Sequence, residues 1–348
     1  MSLKIGAPAP VFRARTPGNP DFEFATLGGR FVLLAFLPSD MGERRAAMNL
    51  VGAEQARFDE VRAVAFMVVR DAPTAAAAKD IRGLRWFFDL DGTVSRLYGA
   101  LDDAGRERPM WVLLDPTLRV LQTAPIAEPG EIFQNLRNLP DPALHAGAPM
   151  AAPVLTVPRI FEPELCRELI ALHQETGGRP TGVMRDIDGR SHHVMDELKR
   201  RRDVLVTDEA QAGAIKRRLS ERLLPELRKA FQYEVTRIER YLVSCYDAAD
   251  GGVFHAHRDD VTLATAHRRF ACSINLNDDF EGGDLIFPEY GAQTYRPPLG
   301  GAVVFSCRLL HEVTPMRTGR RYAFLPFFYD EAAAKVREDN RAHMGESV

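Results

Sequence analysis

The sequence predicts two domains of different fold class, an α/β domain followed by an α+β domain. Three observations support this prediction. The chain has 348 residues, which is long for one hydrophobic core. Five prolines between residues 139 and 158 exclude a helix or a central strand there, and the hydrophobic pattern differs on the two sides. We place the first domain at 1–140, a Pro/Ala-rich linker at 141–157, the second domain at 158–330 and a C-terminal tail at 331–348.

The first domain alternates short apolar runs with helix-forming stretches. The run FVLLAFL at 31–37 is wholly apolar, as expected of a central strand covered on both faces. Residues 61–69 and 110–114 have the same character. Ala-rich and charged stretches at 44–61 and 74–81 predict helices between these strands. Strand-helix alternation of this kind predicts an α/β layer fold.

The second domain begins with helices and continues with strands. Apolar residues recur through 161–175, and 208–231 carries them at four-residue steps, which is typical of a helix with one buried face. Short strands separated by Gly and Pro turns follow, at 238–246, 269–275, 284–287, 301–306 and 321–328. Helices followed by a run of strands predict an α+β domain built on a β-sandwich or barrel.

Composition and charge exclude several classes of partner. The net charge is -3 and 27% of the residues are charged, so nothing indicates nucleic acid or an anionic membrane as a partner. The basic run at 199–202 is interrupted by Asp203, and we expect it to be a solvated edge. The longest apolar run, at 31–37, is too short to span a bilayer, and the N-terminal residues lack the apolar core of a signal peptide.

We therefore expect a cytoplasmic protein. Its four cysteines, at 166, 245, 272 and 307, contain no C-x-x-C pair. In a reducing compartment they are expected to be free, small, buried side chains.

The stretch FHAHRDDVT, at 254–262, carries the first candidate site residues. In an extended chain, residues two apart point the same way, so His257 and Asp259 share a face, and His255 shares it too. The local alternatives are therefore His-x-His and His-x-Asp. A cupin-like use of His255 with His257 requires a glutamate a few residues later, where the sequence reads Val-Thr-Leu. The histidines at 192, 193, 267 and 343 lie in polar segments and are expected to be solvated.

A second candidate group lies about fifty residues downstream. His311 follows an apolar strand, and Arg321 stands ten residues later on the next strand. A cation inside a core-facing strand must be paired or must bind an anionic ligand. Two histidines and one carboxylate that leave open positions are the ligand set of non-haem Fe(II) oxygenases. An arginine beside such a site offers a fork of donors to a carboxylate.

The order of these elements resembles a known family. Tyr246, the His-Arg-Asp at 257–259, FEGGDLIFPEYG at 280–291 and HEVTPMRTGRR at 311–321 resemble the 2-oxoglutarate and Fe(II)-dependent dioxygenases of the prolyl 4-hydroxylase type. The resemblance covers roughly 155–330 and implies a double-stranded β-helix, or jelly-roll, core. It implies hydroxylation of a peptidyl proline, another side chain or a small molecule, coupled to decarboxylation of 2-oxoglutarate to succinate.

The resemblance also implies roles for individual residues. His257, Asp259 and His311 would bind Fe(II), and Arg321 would pair with the distal carboxylate of 2-oxoglutarate. Tyr246 would add a hydroxyl to that pocket. Asn275 is a third candidate for cosubstrate binding, at a position where the family often has an aromatic or aliphatic side chain. The implied cofactors are Fe(II), 2-oxoglutarate and O₂, with ascorbate as a further expectation.

The first domain resembles a peroxiredoxin of thioredoxin fold. The resemblance is carried by IGAPAPVF at 5–12, FVLLAFLPSD at 31–40, FFDLDGTVSRLYGAL at 87–101 and RPMWVLLDP at 108–116. That family uses a cysteine seven residues after the proline that corresponds to Pro38, and this chain has Arg45 there. Arg108 matches the arginine of the family. Because a peroxide-reducing thiolate needs sulfur, we expect a retained fold without peroxidase activity.

Two roles remain for such a domain: recruiting the substrate, or forming a homodimer. For the whole chain, the alternative to a dioxygenase is a non-catalytic metal-binding or interaction module in which both domains are degenerate. A thiol peroxidase is disfavoured by the missing cysteine.

Overall fold

The computed structural model describes residues 3–187 and 189–343, and its contacts divide the chain into two compact units. The first unit comprises Met1–Ala151 with Pro288–Ala292, and the second comprises Ala152–Phe287 with Gln293–Val348. The main boundary, at residues 151 and 152, lies within the stretch predicted as a linker. Among the described helices, none is long and apolar enough to cross a membrane.

The first unit is built on a five-stranded mixed sheet of order β5-β4-β3-β6-β7. β3, β4 and β5 are parallel, whereas β6 and β7 pair antiparallel to their neighbours. A separate two-stranded ribbon is formed by β1 and β2. The strands are β1 Arg13–Ala14, β2 Phe22–Glu23, β3 Phe31–Phe36, β4 Ala63–Val69, β5 Leu84–Phe88, β6 Met110–Leu114 and β7 Val120–Pro125.

Four α-helices accompany this sheet, and β3 shows why it is covered on both faces. The helices are α1 Met41–Ala53, α2 Ala72–Ala77, α3 Thr93–Tyr98 and α4 Gly130–Arg137. Alternate residues of β3 belong to two separate hydrophobic cores, with Val32 and Leu34 in one and Leu33 in the other. α3 packs into the first core, and α1 and α4 pack into the second. The wholly apolar strand therefore has a partner layer on each side.

The predicted helix at 44–61 was too long. α1 ends at Ala53, and a short 3-10 turn, Gln55–Arg57, follows it. Phe58 then turns into the core, where it is 2% exposed, and Glu60 has a φ of 70°. A positive φ at a non-glycine residue is incompatible with a continuing helix.

The second unit contains antiparallel sheets with helices on one face. A nine-stranded sheet runs β14-β25-β17-β24-β15-β13-β9, with β21 and β8 attached through β17, and a five-stranded sheet runs β12-β16-β22-β19-β20. Two further two-stranded sheets, β10-β11 and β18-β23, belong to the described part of the unit. Its helices are α5 Pro163–Thr176, α6 Glu209–Arg218, α7 Leu224–Phe231 and α8 Glu331–Asp339.

The strands of the second unit are mostly short, as the frequent Gly and Pro residues predict. They are β8 Leu155–Val157, β9 Arg179–Pro180, β10 Val183–Ile187, β11 Arg190–Val194, β12 Lys199–Arg200, β13 Arg202–Leu205, β14 Arg237–Glu239, β15 Leu242–Asp247, β16 Val253–His257, β17 Phe270–Asn275, β18 Glu281–Gly282, β19 Leu285–Ile286, β20 Thr294–Tyr295, β21 Ala302–Ser306, β22 His311–Val313, β23 Met316–Thr318, β24 Arg320–Phe324 and β25 Phe327–Tyr329.

Several predicted elements are interrupted at identifiable residues. The helix predicted at 208–231 contains a π-turn, Leu219–Leu223, immediately before Pro225, which cannot donate the hydrogen bond of a regular turn. The strand at 238–246 breaks at Arg240, whose φ is 50°. The strand at 321–328 breaks around Pro326, which has no backbone N–H to donate.

Two segments without an apolar pattern contain strands. The segment at 181–207 contains the hairpin β10-β11 together with β12 and β13. The Pro-rich linker at 141–157 ends in a strand, Leu155–Val157, which pairs with β21. These strands are short or polar, so the apolar pattern that marked the central strands is missing.

The backbone at Gly282 and Gly283 packs closely against β23 and does not form a hairpin turn. Gly282 pairs with Met316 of β23, and both glycines have positive φ, of 77° and 65°. A Cβ on Gly283 would lie 2.4 Å from Met316 Sδ and 3.2 Å from Arg321 Cδ. Only glycine leaves room for Arg321 at this point.

Side-chain alternation divides the nine-stranded sheet into an apolar face and a polar face. Val243, Ile274 and Phe324 lie in the core formed with α5, α6 and α7. The neighbouring residues in each strand point to the opposite face. Those neighbours are Ser244 and Tyr246 of β15, Ser273 and Asn275 of β17, and Arg321 of β24. A polar set on the inner face of a sheet is where a ligand site can form.

Candidate metal centre

Strand pairing brings two of the predicted metal ligands together. β16 ends at His257, β22 begins at His311, and the two residues are direct partners in the antiparallel register. Asp259 lies two residues beyond β16, where its backbone N–H donates to the Cys307 carbonyl at 3.0 Å. One ligand atom from each of His257, Asp259 and His311 lies within 4.8 Å of the others. The structure therefore gathers residues that are 54 positions apart in the chain.

Hydrogen bonds orient both imidazoles toward the carboxylate. His257 Nδ1 lies 2.8 Å from the His255 carbonyl and His311 Nδ1 lies 3.0 Å from the Leu309 carbonyl. A carbonyl can only accept, so each Nδ1 is the protonated nitrogen and each Nε2 of a neutral ring carries a lone pair. The Nε2 atoms face Asp259 oxygens at 3.6 and 3.4 Å. Lone pairs facing a carboxylate repel one another unless a cation lies between them, so this donor set fits a divalent metal.

Aromatic packing fixes the two rings. His257 stacks on Phe254 with ring centroids 3.5 Å apart, and His311 lies 4.6 Å from the Phe305 ring. Burial, together with the neighbouring His257 ring, lowers the pKa of His311 to about 4. His311 is therefore a neutral imidazole at neutral pH, which is the form that binds a metal. His255 is exposed and contributes its carbonyl to His257, not its ring.

Arg321 lies on the polar face of the sheet with neutral partners only. It is 2% exposed, its Nε donates to Asn275 Oδ1 at 3.0 Å, and its Nη2 donates to Ser273 Oγ at 2.6 Å. No carboxylate of the described chain lies within the 4.0 Å that defines an ion pair with it. Tyr246 is its direct cross-strand partner, with the Arg321 guanidinium 5.6 Å from the ring centroid. A buried guanidinium without a carboxylate fits an anionic ligand.

Asn275 and Tyr246 differ in what they can offer a ligand. Asn275 is 1% exposed, and its amide is occupied by Arg321 on one side and by the Pro297 carbonyl, at 2.9 Å, on the other. It orients Arg321 and has little left for a second partner. The Tyr246 hydroxyl accepts from Arg201 Nη1 at 3.2 Å and keeps its own proton to donate.

A series of neighbouring side chains connects Arg321 with the imidazoles. The Arg201 guanidinium lies 5.7 Å from the Tyr246 centroid and 5.9 Å from the Phe254 centroid. Phe254 in turn stacks on His257. Tyr246, Arg201 and Phe254 thus stand in succession between the predicted anion-binding arginine and the predicted metal ligands.

The basic run at 199–202 was wrongly predicted to be a solvated edge. Lys199 and Arg201 are 8% and 7% exposed, and Asp203 is also buried, whereas Arg200 and Arg202 are exposed. Positions 199, 201 and 203 point inward because alternate residues of an extended chain share a face. The alternation of inward and outward positions could have been predicted from the sequence. The run of like charges instead suggested that all of these side chains were solvated.

His267 is likewise buried, not solvated, at 2% exposure. Its Nε2 lies 2.8 Å from Glu239, which also receives two hydrogen bonds from Arg268, at 2.9 and 2.6 Å. Burial alone would raise the pKa of Glu239, but the Arg268 guanidinium holds it well below its usual range. His192 is partly buried, His193 is exposed, and the His343 side chain lies outside the described residues.

The first unit has a different arrangement where a peroxiredoxin would carry its cysteine. Arg45 is exposed, and its neighbour Arg44 turns inward at 7% exposure. Arg44 forms an ion pair with Asp71 at 2.7 Å and donates to the Pro38 carbonyl at 2.9 Å. Arg108 is exposed. No sulfur is present in this unit's sequence except that of methionine.

Comparison with known proteins supports the resemblance of the chain to hydroxylases. No family model matches the chain. A PKHD-type hydroxylase of Synechococcus sp. is 29% identical over 118 residues, which cover 31% of this chain and 52% of the relative. The PKHD-type hydroxylase PiuC of Pseudomonas aeruginosa is 31% identical over 109 residues, covering 29% of this chain and 46% of the relative. The chain thus spans about half the length of these relatives.

Solved structures resemble the chain only loosely. A Pseudomonas putida prolyl-4-hydroxylase aligns with a TM-score of 0.39 and 17% identity, over 52% of this chain and 94% of its own. A Plasmodium vivax 2-Cys peroxiredoxin aligns with a TM-score of 0.34 and 19% identity, over 38% of this chain and 94% of its own. Likeness at this level supports no inference about activity.

Proposed function

We propose that the chain is an Fe(II)- and 2-oxoglutarate-dependent dioxygenase that hydroxylates an organic substrate. The observation that carries the proposal is the pair of carbonyl-anchored imidazoles that face the Asp259 carboxylate, on a domain whose polar sheet face also holds a buried arginine without a carboxylate partner in the described chain. The curated relatives are named hydroxylases, which supports the same assignment. We also propose that the antiparallel sheets of residues 158–330 form a double-stranded β-helix.

Each residue of the site has a defined task in this proposal. His257, Asp259 and His311 would hold the iron and leave positions open for other ligands. Iron bound there, with 2-oxoglutarate and O₂, supplies the oxidising chemistry that converts a C–H bond into a C–OH bond and 2-oxoglutarate into succinate and CO₂. The protein's own contribution is to orient these reactants and keep water away.

Arg321 and Tyr246 would bind the distal carboxylate of 2-oxoglutarate. The guanidinium offers charge-assisted hydrogen bonds, and the phenol can donate its free proton. Asn275 and Ser273 hold the guanidinium in place by accepting its hydrogen bonds. A dicarboxylic acid anchored at Arg321 could then present its other end to the metal ligands.

The first domain, residues 1–140, has no thiol and is proposed to be non-catalytic. Recruiting the substrate and forming a homodimer both remain proposals for it. A chain that begins near residue 150 and keeps full activity and the same assembly state would remove both.

The test is addition of Fe(II) and 2-oxoglutarate to the full chain without oxygen. Chelation at an open metal position gives a weak visible charge-transfer band, which requires both additions. Admission of O₂ and ascorbate, the reductant that the family resemblance implies, should then give succinate. A folded protein that shows neither band nor succinate would instead be a non-catalytic binding module.

A further inference from the structure

The buried Arg201 side chain joins a carboxylate to the Tyr246 hydroxyl. The side chains of Arg201 and Asp203 are each 4% exposed. Arg201 Nη2 donates to Asp203 Oδ2 at 2.8 Å, and its Nε lies 2.7 Å from Oδ1. Its Nη1 donates to the Tyr246 hydroxyl oxygen at 3.2 Å. The guanidinium therefore connects a buried carboxylate with the phenol that we propose for cosubstrate binding.

Arg201 and Asp203 form an ion pair that is complete within the chain. Asp203 also accepts hydrogen bonds from the hydroxyls of Ser244 and Thr181, and it lies 3.7 Å from Lys199 Nζ. Burial alone would raise the pKa of Asp203, but the Arg201 guanidinium holds it well below its usual range. Burial alone would lower the pKa of Arg201, but Asp203 holds it above its usual range. Arg201 therefore needs no anion from outside, and its orientation is fixed.

The contact with Arg201 determines what the Tyr246 hydroxyl can do. A guanidinium only donates hydrogen bonds, so the phenol oxygen is the acceptor in this contact. The single O–H of the phenol must then point to a different group. Tyr246 is 1% exposed, and within the described chain its hydroxyl has no hydrogen bond except the one from Arg201. Because a buried O–H without an acceptor is costly, this proton indicates an acceptor that belongs to a ligand.

The same phenol adjoins Arg321. Tyr246 and Arg321 are direct partners in the pairing of β15 with β24, and the Arg321 guanidinium lies 5.6 Å from the phenol ring centroid. Tyr246 is an electrostatic neighbour of both Arg201 and Arg321. Burial lowers the pKa of Arg321, in contrast to that of Arg201. Tyr246 thus contacts one guanidinium that has its own carboxylate and adjoins another that has none.

A ligand group bound at Arg321 would therefore meet hydrogen-bond donors. Arg321 has no acceptor, and Arg201 makes the Tyr246 hydroxyl a donor. A carboxylate accepts at both oxygens and matches such a pocket. A carboxamide has almost the same shape, but its NH₂ group would face a donor. The choice between these two groups depends on the direction of the Tyr246 proton.

We infer that Arg201 and Asp203 are positioning residues that make the Tyr246 hydroxyl a donor and thereby restrict the cosubstrate pocket to a carboxylate. The inference rests on the proposed function, because it concerns recognition of the cosubstrate at that site. Arg201 and Asp203 act through Tyr246 and need not touch the ligand. Arg200, the exposed neighbour of Arg201 in the chain, is the matched control.

The test compares 2-oxoglutarate with 2-oxoglutaramate, in which an amide replaces the distal carboxylate. Both dissociation constants are measured by titrating the charge-transfer band of the full, iron-loaded chain without oxygen. Wild type and Arg200→Met should prefer 2-oxoglutarate by at least about thirtyfold. Tyr246→Phe and Arg201→Met should each reduce that preference by about tenfold. Adding Arg201→Met to Tyr246→Phe should change it no further, because Arg201 acts only through the hydroxyl.

Two results would overturn the inference: an unchanged preference in Arg201→Met, or a further tenfold loss when Arg201→Met is added to Tyr246→Phe. A purely structural defect would produce the second result, since it would not depend on the hydroxyl. If Arg201→Met does not fold because Asp203 is left unpaired, Arg201→Met combined with Asp203→Asn removes both charges. This double variant should show the same tenfold reduction, and an unchanged preference would again contradict the inference.

The titrations also separate this inference from the proposed function. A folded protein that gives no band with either ligand would contradict the proposed function, and the inference with it. A protein that prefers 2-oxoglutarate equally in wild type, Tyr246→Phe and Arg201→Met would keep the proposed function and overturn the positioning role alone.

Discussion

Two buried arginines, one in each unit, show how differently the two halves of the chain use the same side chain. Arg44 forms an ion pair with Asp71 at 2.7 Å. Arg321 is buried at least as deeply but hydrogen-bonds only the neutral Asn275 and Ser273. A guanidinium with its own carboxylate is complete, whereas one with neutral partners is prepared for an anion from outside. The first is a structural residue, and the second is the residue we propose for anion binding.

The comparison extends to the neighbouring polar groups. In the first unit the position where a peroxiredoxin needs a cysteine holds the exposed Arg45, and the inward-facing Arg44 beside it is paired with Asp71. In the second unit Arg321 and the two imidazoles keep donors and lone pairs that no described side chain uses. This difference is why we propose a ligand site in the second unit and none in the first.

The largest effect is expected from His257→Ala. Removal of one of three metal ligands should weaken Mn(II) or Fe(II) binding by about two orders of magnitude or more. His255→Ala is the matched control, because that ring is exposed two residues earlier on the same strand. Equilibrium dialysis of the metal measures both. Equal affinity in the two variants would remove His257 from the site.

Arg268→Met should cause the largest loss of stability. Its partner Glu239 is 12% exposed, so the substitution leaves a buried carboxylate without its guanidinium and with only the His267 ring beside it, and should cost about 3 kcal/mol of unfolding free energy. Arg269→Met is the control, since Arg269 donates only to the backbone carbonyls of Ala266 and Arg268. Urea unfolding distinguishes the two, and similar values for both would show that the pair adds no stability.

The same pair predicts a pH dependence. The folded-state pKa of Glu239 is lowered, so its contribution to stability is present above the pKa of a free glutamate, about 4.3, and is lost as the pH falls below it. Stability measured between pH 6 and 3 should fall more steeply in the wild type than in Arg268→Met. Parallel curves would contradict the assignment.

Arg44→Met and Arg321→Met compare the two arginines directly. Loss of the Arg44–Asp71 pair should cost about 1 kcal/mol, a value reduced because the Asp71 side chain is 36% exposed. Arg321→Met removes an uncompensated buried charge, so we expect no loss of stability within about 0.5 kcal/mol. Both are measured as unfolding free energies without ligands. If Arg321→Met is the more damaging change, Arg321 is a structural residue.

The smallest effect is expected from Arg45→Cys. The side chain at this position is exposed, so stability should change by less than about 0.5 kcal/mol. Peroxide consumption should stay at background, because the neighbouring Arg44 guanidinium is already paired with Asp71 and Arg108 is exposed, so no described arginine is free beside the new thiol to activate it. Peroxidase activity in this variant would show that only the sulfur had been lost.

The sequence was sufficient for features that depend on local pattern. Apolar runs located β3, β4 and β6, and the family resemblance pointed to His257, Asp259 and His311, the three side chains whose ligand atoms lie within 4.8 Å of one another. The roles of these residues remain proposals.

Features that depend on long-range pairing could not be predicted. Glu239 and Arg268 are 29 residues apart and neither lies in a motif. The Lys199 side chain points inward because β12 pairs with β16. The run of four basic residues in the sequence gives no indication of that pairing. Pro225 in the sequence indicated an irregular helix at this point, since proline removes one hydrogen-bond donor. The leucines at four-residue steps nevertheless led to the prediction of a continuous helix, whereas the structure has a π-turn.

The central claim, that Arg321 is kept for the distal carboxylate of a dicarboxylic acid, is tested most directly by a comparison of two ligands. Binding of 2-oxoglutarate and of 2-oxobutyrate, which lacks the distal carboxylate, is measured on iron-loaded protein without oxygen, in wild type, Arg321→Met and the exposed control Arg320→Met. A buried, charge-assisted pair is worth about 2–5 kcal/mol, so wild type and Arg320→Met should prefer 2-oxoglutarate by at least about thirtyfold, and Arg321→Met should lose that preference. An unchanged preference in Arg321→Met would contradict the account.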